Sequence, residues 1–300
     1  MAIQVTLLPH SAFALCITYR HVAADGRAFH HFIKFWASVC NSKGDLALAS
    51  LKDTLALALP LHNRNTIQDP KGLKSIFLAE LSNFLPLDVE SKGIKLDVPS
   101  DMVRHTFVLS HDLVQKLKKW VSIKCQSHGL ATPHITTFVV TCSLIWVCKV
   151  KSEEVVFNSI GILRKLFGCG NAEVKRSKLV GGNGILEAAI AIGSEVRHLK
   201  DEALEGAETL MSNFTEFATL GKHMTIIAGS PTLQVYETDF GWGKPMRSEV
   251  VHVDNSGSIS LSDCRDKEGR IEVGLALQKI QFNKFRTILE DHLKEISVFD

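Results

Sequence analysis

Ala12-Phe13-Ala14-Leu15-Cys16-Ile17-Thr18-Tyr19-Arg20-His21-Val22-Ala23-Ala24-Asp25-Gly26 is the stretch around which the chain is organised. An apolar run rich in strand-forming residues stops at His21, and a short small-residue segment leads to Asp25 and Gly26. Beyond Gly26 the apolar period becomes helical, with Phe29, Phe32, Ile33, Trp36 and Val39 on one face. His21 is therefore expected where a strand gives way to a loop before a helix, a junction that presents side chains to clefts. Histidine suits such a place chemically, because its unperturbed pKa of about 6.5 lets it take and return a proton near neutrality. Asp25 is close enough to anchor either the loop or the imidazole, and Gly26 permits a backbone conformation that other residues resist. On its own, His-x-x-x-Asp is a short pattern that a surface histidine near a turn also satisfies.

A second stretch adds weight. Tyr236-Glu237-Thr238-Asp239-Phe240-Gly241-Trp242-Gly243-Lys244-Pro245 packs aromatics, glycines, an acid and a proline into one short loop. Read alone, it is a tight turn with Phe240 and Trp242 in the core. Taken together and in this order, His21-x-x-x-Asp25-Gly26 and Asp239-Phe240-Gly241-Trp242-Gly243 resemble the paired signatures of the plant BAHD acyl-CoA-dependent acyltransferases. Gln68-Asp69-Pro70-Lys71-Gly72-Leu73, Thr136-Thr137-Phe138 and Ala172-Glu173-Val174-Lys175-Arg176-Ser177-Lys178-Leu179 are similar to the malonyltransferase-like branch. The likeness covers nearly the whole chain.

The resemblance implies an α/β fold with chloramphenicol-acetyltransferase-like two-domain architecture. Residues 1–150 would form a partial N-terminal domain carrying the histidine motif, and 151–300 a C-terminal domain carrying the Asp-Phe-Gly-Trp-Gly motif. It implies transfer of an acyl group, malonyl first, from acyl-CoA to a hydroxyl of a phenolic or flavonoid (anthocyanin) glucoside. His21 would be the general base in a direct ternary-complex route. Asp25 would turn away from the cleft and pair with an arginine, for which Arg164 is the candidate. Asp239 would hold its loop, with a second acid–base role as the alternative, and Gly26, Phe240, Gly241, Trp242 and Gly243 would support the architecture. Trp242 is expected in core packing, with channel lining as the alternative. Lys175, Arg176, Ser177 and Lys178 form the basic cluster expected to meet CoA phosphates, which suit cations and free backbone N–H groups.

Two departures from the family pattern stand out. The histidine motif begins at residue 21, without the block of strands and helices that precedes it in the family, so the first domain is expected to be incomplete. The chain also runs from Arg164 and Lys165 straight to Phe167-Gly168-Cys169, a contracted form of a longer segment. A catalytically inactive relative that binds only CoA or a partner is therefore the alternative function. An incomplete first domain also leaves unpaired sheet edges and exposed apolar surface, so a monomer is expected, with association through those edges.

Composition narrows the field further. With 300 residues and 45% hydrophobic content the chain can build a sizeable core. A net charge of +2 advertises no polyanion-binding surface, so nucleic acid is not expected as a partner. The seven cysteines are odd in number and lack a Cys-x-x-Cys pair, which argues against a zinc site or a disulfide framework. The cytoplasm is the expected compartment, with acyl-CoA as cosubstrate and no cofactor or metal. No signal peptide is read at the start. The longest apolar run, Phe138 to Cys148, is too short for a bilayer, which takes about 20 residues, and reads as a buried core helix.

In chain order, strands are expected over Met1–Leu8, Phe13–Tyr19, Val103–Leu109, Val155–Leu163, Thr225–Ala228, Leu233–Tyr236, Glu249–Val253, Ser258–Leu261 and Ile271–Leu277, with Asn255-Ser256-Gly257 as a hairpin turn. Helices are expected over Ala28–Cys40, after Ser110, from Thr132-Pro133, after Gly184 and at the C-terminus. Gly181-Gly182-Asn183-Gly184 lacks the lysine and hydroxyl residue of a phosphate loop and reads as a plain turn.

Overall fold

A computed structural model describes residues 1–10, 12–45, 63, 68–84, 101–153, 160–165, 171–202, 204–209, 212, 223–251, 258–266 and 269–298. Its contacts divide the chain into two compact units, Met1–His62 with Leu233–Arg247, and Asn63–Thr232 with Ser248–Asp300. Both units are discontinuous in sequence, and the loop bearing Asp239 is grouped with the N-terminal residues rather than with the chain that surrounds it.

The first unit is built on β1 (Ala2–Leu8) and β2 (Ala12–Thr18), an antiparallel pair in which Val5 lies opposite Leu15 and Leu7 opposite Phe13. Pro9 and His10 turn the chain, and His10 takes a left-handed φ of 61°. The pair forms a two-stranded sheet of its own, and Ile3, Val5, Leu7 and Phe13 are exposed. Helix α1 (Gly26–Asn41) follows and buries Ile33 and Ala37.

The second unit has a conventional core. After α2 (Leu73–Phe84), its elements are β3 (Met102–Leu109), α3 (His111–Ser127), α4 (Thr137–Ser152), β4 (Ile160–Lys165), β5 (Asn171–Lys175), α5 (Arg176–Val180), α6 (Gly184–Asp201), β6 (His223–Gly229), β7 (Ile259–Asp263), β8 (Ile271–Gln278) and α7 (Lys279–Val298). One mixed sheet takes the order β3-β8-β7-β6-β4-β5, with β7, β6 and β4 parallel and the other pairs antiparallel. Helices α3, α6 and α7 pack around α4. Helix α4 is apolar over most of its length, with Lys149 and Lys151 in its last turn, and is buried along almost its whole length, Trp146 included. Ser110 caps α3 by accepting the Leu113 N–H at 3.2 Å. A Cβ at Gly184 would run into the Leu179 carbonyl, so the glycine turn before α6 serves close packing.

Several expected elements are corrected. Helix α4 begins after Thr136, whose hydroxyl accepts the Val139 N–H, rather than at Thr132-Pro133. Leu233–Tyr236 is not a strand: short 3-10 turns over Pro231–Leu233 and Val235–Glu237 flank Gln234, whose left-handed φ of 50° breaks any extended run. Glu249 and Val250 form no strand, and the carbonyls of Val250 and Val251 instead accept from Arg104. The expected turn at 255–257, most of the strand at 155–163 and the segment 167–169 lie outside the described residues. Strand β5 was not anticipated, because five residues alternating buried and exposed leave a faint signal.

Candidate active site

His21 lies where the sequence pattern put it. Beyond β2 the chain makes a turn closed by the Ala23 N–H on the Arg20 carbonyl at 2.9 Å, and His21 sits in that turn with its side chain exposed. Asp25 is the N-cap of α1: its backbone is extended (φ −76°, ψ 177°) and its carboxylate accepts the Ala28 N–H at 2.7 Å. An N-cap acid satisfies a helix donor that would otherwise lack a partner and complements the positive end of the helix dipole. Asp25 thus anchors the start of α1. Arg164 lies on β4 opposite Asn171 and Ile226, and its side chain is outside the described residues. Gly26 is the first residue of α1 and is not among the left-handed glycines, so the expected conformational need at Gly26 is corrected.

Aromatic rings tie the strand end to the helix start. Tyr19 stacks on Phe29 in the first turn of α1, with ring centroids 4.1 Å apart and planes 9° from parallel. The His21 ring stands 6.1 Å from that of Tyr19, tilted by 32°. Burial, and secondarily the Asp25 carboxylate, push the Tyr19 phenol above its ordinary value, so it stays protonated at neutral pH.

The loop around Asp239 is built differently. One oxygen of its carboxylate accepts the N–H groups of Gly241 at 2.7 Å and Gly243 at 2.9 Å. Both glycines are left-handed, with φ of +100° and +93°, which explains why glycine stands at each. Lys244 clamps the loop's base by pairing with Glu237. Phe240 meets Trp36 edge-on at 5.0 Å and stacks with Trp242, which meets Phe13 edge-on at 5.1 Å. Trp242 is nonetheless 70% exposed, so its expected place in core packing is corrected.

The Tyr19 contact to α1 is at Phe29, whereas the Asp239 loop touches α1 at Trp36 and Asn41. At 1.5 Å per residue these contacts lie roughly 10–18 Å apart along the helix. Asp239 is a loop latch, one carboxylate oxygen of which serves two N–H groups.

The basic cluster also divides. Lys175 and Ser177 are exposed, and Lys178 pairs with Glu187 at 3.0 Å. Arg176, by contrast, is buried: it donates to Glu153 at 2.9 Å and to the Val150 carbonyl at 2.7 Å. Glu153 also pairs with Lys149 at 3.0 Å, and Lys149 reaches the Thr225 hydroxyl at 3.3 Å. Arg176 thus serves the interior of its unit, a correction to its expected role at CoA phosphate. Sequence reasoning missed this network, although Lys149-x-x-x-Glu153 at the end of an apolar helix was a usable signal. Among the described residues no group of three or more histidine, cysteine, aspartate or glutamate side chains is placed to hold a metal, and no helix is long and apolar enough to cross a membrane.

The mixed sheet with its packed helices has the chloramphenicol-acetyltransferase-like acyltransferase fold: the crystal structure of vinorine synthase superposes with a TM-score of 0.63 at 14% identity, covering 96% of this chain and 65% of that one. The Transferase family signature matches residues 1–171 and 185–292. The chain belongs to that family, the BAHD acyltransferases. It is similar to coumaroyl-CoA:anthocyanidin 3-O-glucoside-6''-O-coumaroyltransferase 2 of Arabidopsis thaliana, 31% identical over 99% of this chain and 67% of the relative. It is also similar to phenolic glucoside malonyltransferase 1 of Nicotiana tabacum, 32% identical over 87% of this chain and 60% of the relative. The chain therefore spans about two thirds or less of the length of these relatives.

Proposed function

We propose that this protein is an acyl-CoA-dependent O-acyltransferase acting on a hydroxyl of a phenolic or anthocyanin glucoside, with malonyl as the acyl group and His21 as the general base. The observation that carries the reading is His21 itself, exposed on a turn between β2 and α1 whose helical side is fixed by the Asp25 cap. In the reaction, the imidazole removes the acceptor hydroxyl proton as the oxygen attacks the thioester carbonyl. The tetrahedral adduct then expels the CoA thiolate, and the imidazolium returns the proton to that sulfur. No acyl-enzyme forms. The reading keeps Asp25, Phe240, Gly241, Trp242 and Gly243 as support, leaves Lys175, Ser177 and Lys178 as phosphate contacts, and carries the Asp25–Arg164 pair as part of the same proposal. It places the protein in the cytoplasm as a monomer, with association through the β1–β2 edges.

A non-catalytic relative that binds only CoA or a partner is the second reading, favoured by the inward engagement of Arg176, which weakens the phosphate cluster. Purified protein mixed with malonyl-CoA or coumaroyl-CoA and an anthocyanidin 3-O-glucoside decides between them by thiol release and product mass. Malonyl transfer is expected, with His21→Ala reducing it about 10²–10⁴-fold, the usual contribution of a positioned acid–base group. Coumaroyl transfer alone would overturn the malonyl assignment, and thiol release equal to the His21→Ala background would favour the second reading.

A further inference from the structure

We infer that Tyr19 is a positioning residue for His21, its ring acting as the wall against which the imidazole is oriented. The inference rests on the proposed role of His21 and assigns a function to a residue outside both sequence signatures. The reason is mechanical. His21 is an exposed residue in the turn that the Ala23 N–H closes on the Arg20 carbonyl, so the placement of its ring depends on the side chains beside that turn. Tyr19 lies two residues upstream, 6.1 Å ring to ring from His21, and is itself held by the parallel Phe29 ring at 4.1 Å. Phe29 lies in the first turn of α1, where its N–H donates to the Asp25 carbonyl at 2.9 Å. Rigidity therefore passes from the capped helix to Phe29, from Phe29 to Tyr19, and from Tyr19 to the imidazole.

The ring, rather than the hydroxyl, does the orienting. Offset or parallel aromatic contacts depend on ring area and placement, which phenylalanine preserves. The phenol remains protonated because burial, and then the Asp25 carboxylate, raise its pKa, so no phenolate charge enters the contact. Misplacement of a reacting group by about 1 Å costs on the order of 10²-fold in rate. Loss of the wall should thus lower kcat while leaving KM close to its original value.

The test compares Tyr19→Phe, Tyr19→Ala, Phe29→Ala and the Tyr19→Ala/Phe29→Ala double variant in the full chain. Tyr19→Ala is expected to lower kcat roughly 10- to 100-fold with KM within about twofold, and Tyr19→Phe to restore it. The double variant should lose no more than Tyr19→Ala alone, because both substitutions remove the same stack. In parallel, the His21 ring-proton NMR signals should move in Tyr19→Ala and stay in place in Tyr19→Phe, a readout that requires no turnover. Unchanged kcat in Tyr19→Ala, or a loss confined to KM, overturns the inference. So does an unmoved His21 signal. If His21→Ala leaves thiol release unchanged, the proposed function fails instead, and the NMR comparison still judges the Tyr19 contact.

Discussion

The two compact units hold themselves together in different ways. In the second, α4 is submerged among α3, α6, α7 and the six-stranded sheet, so its stability comes from removing apolar side chains such as Trp146, Leu117 and Phe285 from water. In the first, a two-stranded sheet keeps Ile3, Val5, Leu7 and Phe13 exposed, and local devices carry the structure: a helix cap, left-handed glycines, a carboxylate latch and ring-on-ring contacts. The candidate base lies in the first unit. Reactive side chains need access, and access is incompatible with the dense burial that makes a core stable.

Substitutions can break or sharpen this contrast. The largest loss is expected from Glu153→Ala, which strands the buried cations of Lys149 and Arg176 and should destabilise the second unit by about 3–5 kcal/mol, read from urea unfolding and faster amide exchange in α4. A loss below 1 kcal/mol would mean that water reaches those cations. Next comes Gly241→Ala, which forces a side chain into a left-handed conformation and should cost roughly 1–3 kcal/mol in the latched loop. Space is not the obstacle there, since a Cβ would sit 3.5 Å from the Asn41 Cα, so insensitivity to the substitution would show that the loop can re-form around another φ. Loss of the α1 cap in Asp25→Ala should cost about 1 kcal/mol, seen as faster exchange in the first turn of α1.

The smallest effect is pH-dependent. His292 accepts from Lys151 at 3.1 Å, and its pKa lies below the ordinary 6.5 because burial, and then the Lys151 charge, disfavour the imidazolium more than Glu295 and Asp291 favour it. The unfolded histidine protonates first as pH falls, so stability is whole above about pH 6.5 and declines toward the lower folded pKa before levelling. Denaturation midpoints measured across that window should flatten in His292→Gln. An unchanged slope would exclude His292 as the source.

Legibility in the sequence followed the range of the interactions. The junction of β2, His21 and α1 was readable because its determinants lie within a few residues: an apolar strand, a cap acid and a helical period. The same holds for Ser110 capping α3 and for the apolar run that became α4. Where the reading failed, the deciding partner was elsewhere in the chain or the break was a single backbone choice. Leu233–Tyr236 had the composition of a strand, but left-handed Gln234 turned it into two tight turns. Trp242 had the character of a core residue, yet it meets the rings of Phe13 and Phe240 while staying 70% exposed.

The amino-acid sequence by itself determined the family, the strand–turn–helix that displays His21 and the glycine-dependent loop of Asp239, because each is encoded by neighbours along the backbone. Only the tertiary structure decided that Arg176 faces inward to Glu153, 23 residues away, and that Lys149 reaches Thr225 across 76 residues. A cation's preference for solvent or a buried acid depends on which groups the fold carries to it, and that information is spread over the chain rather than held in any one segment.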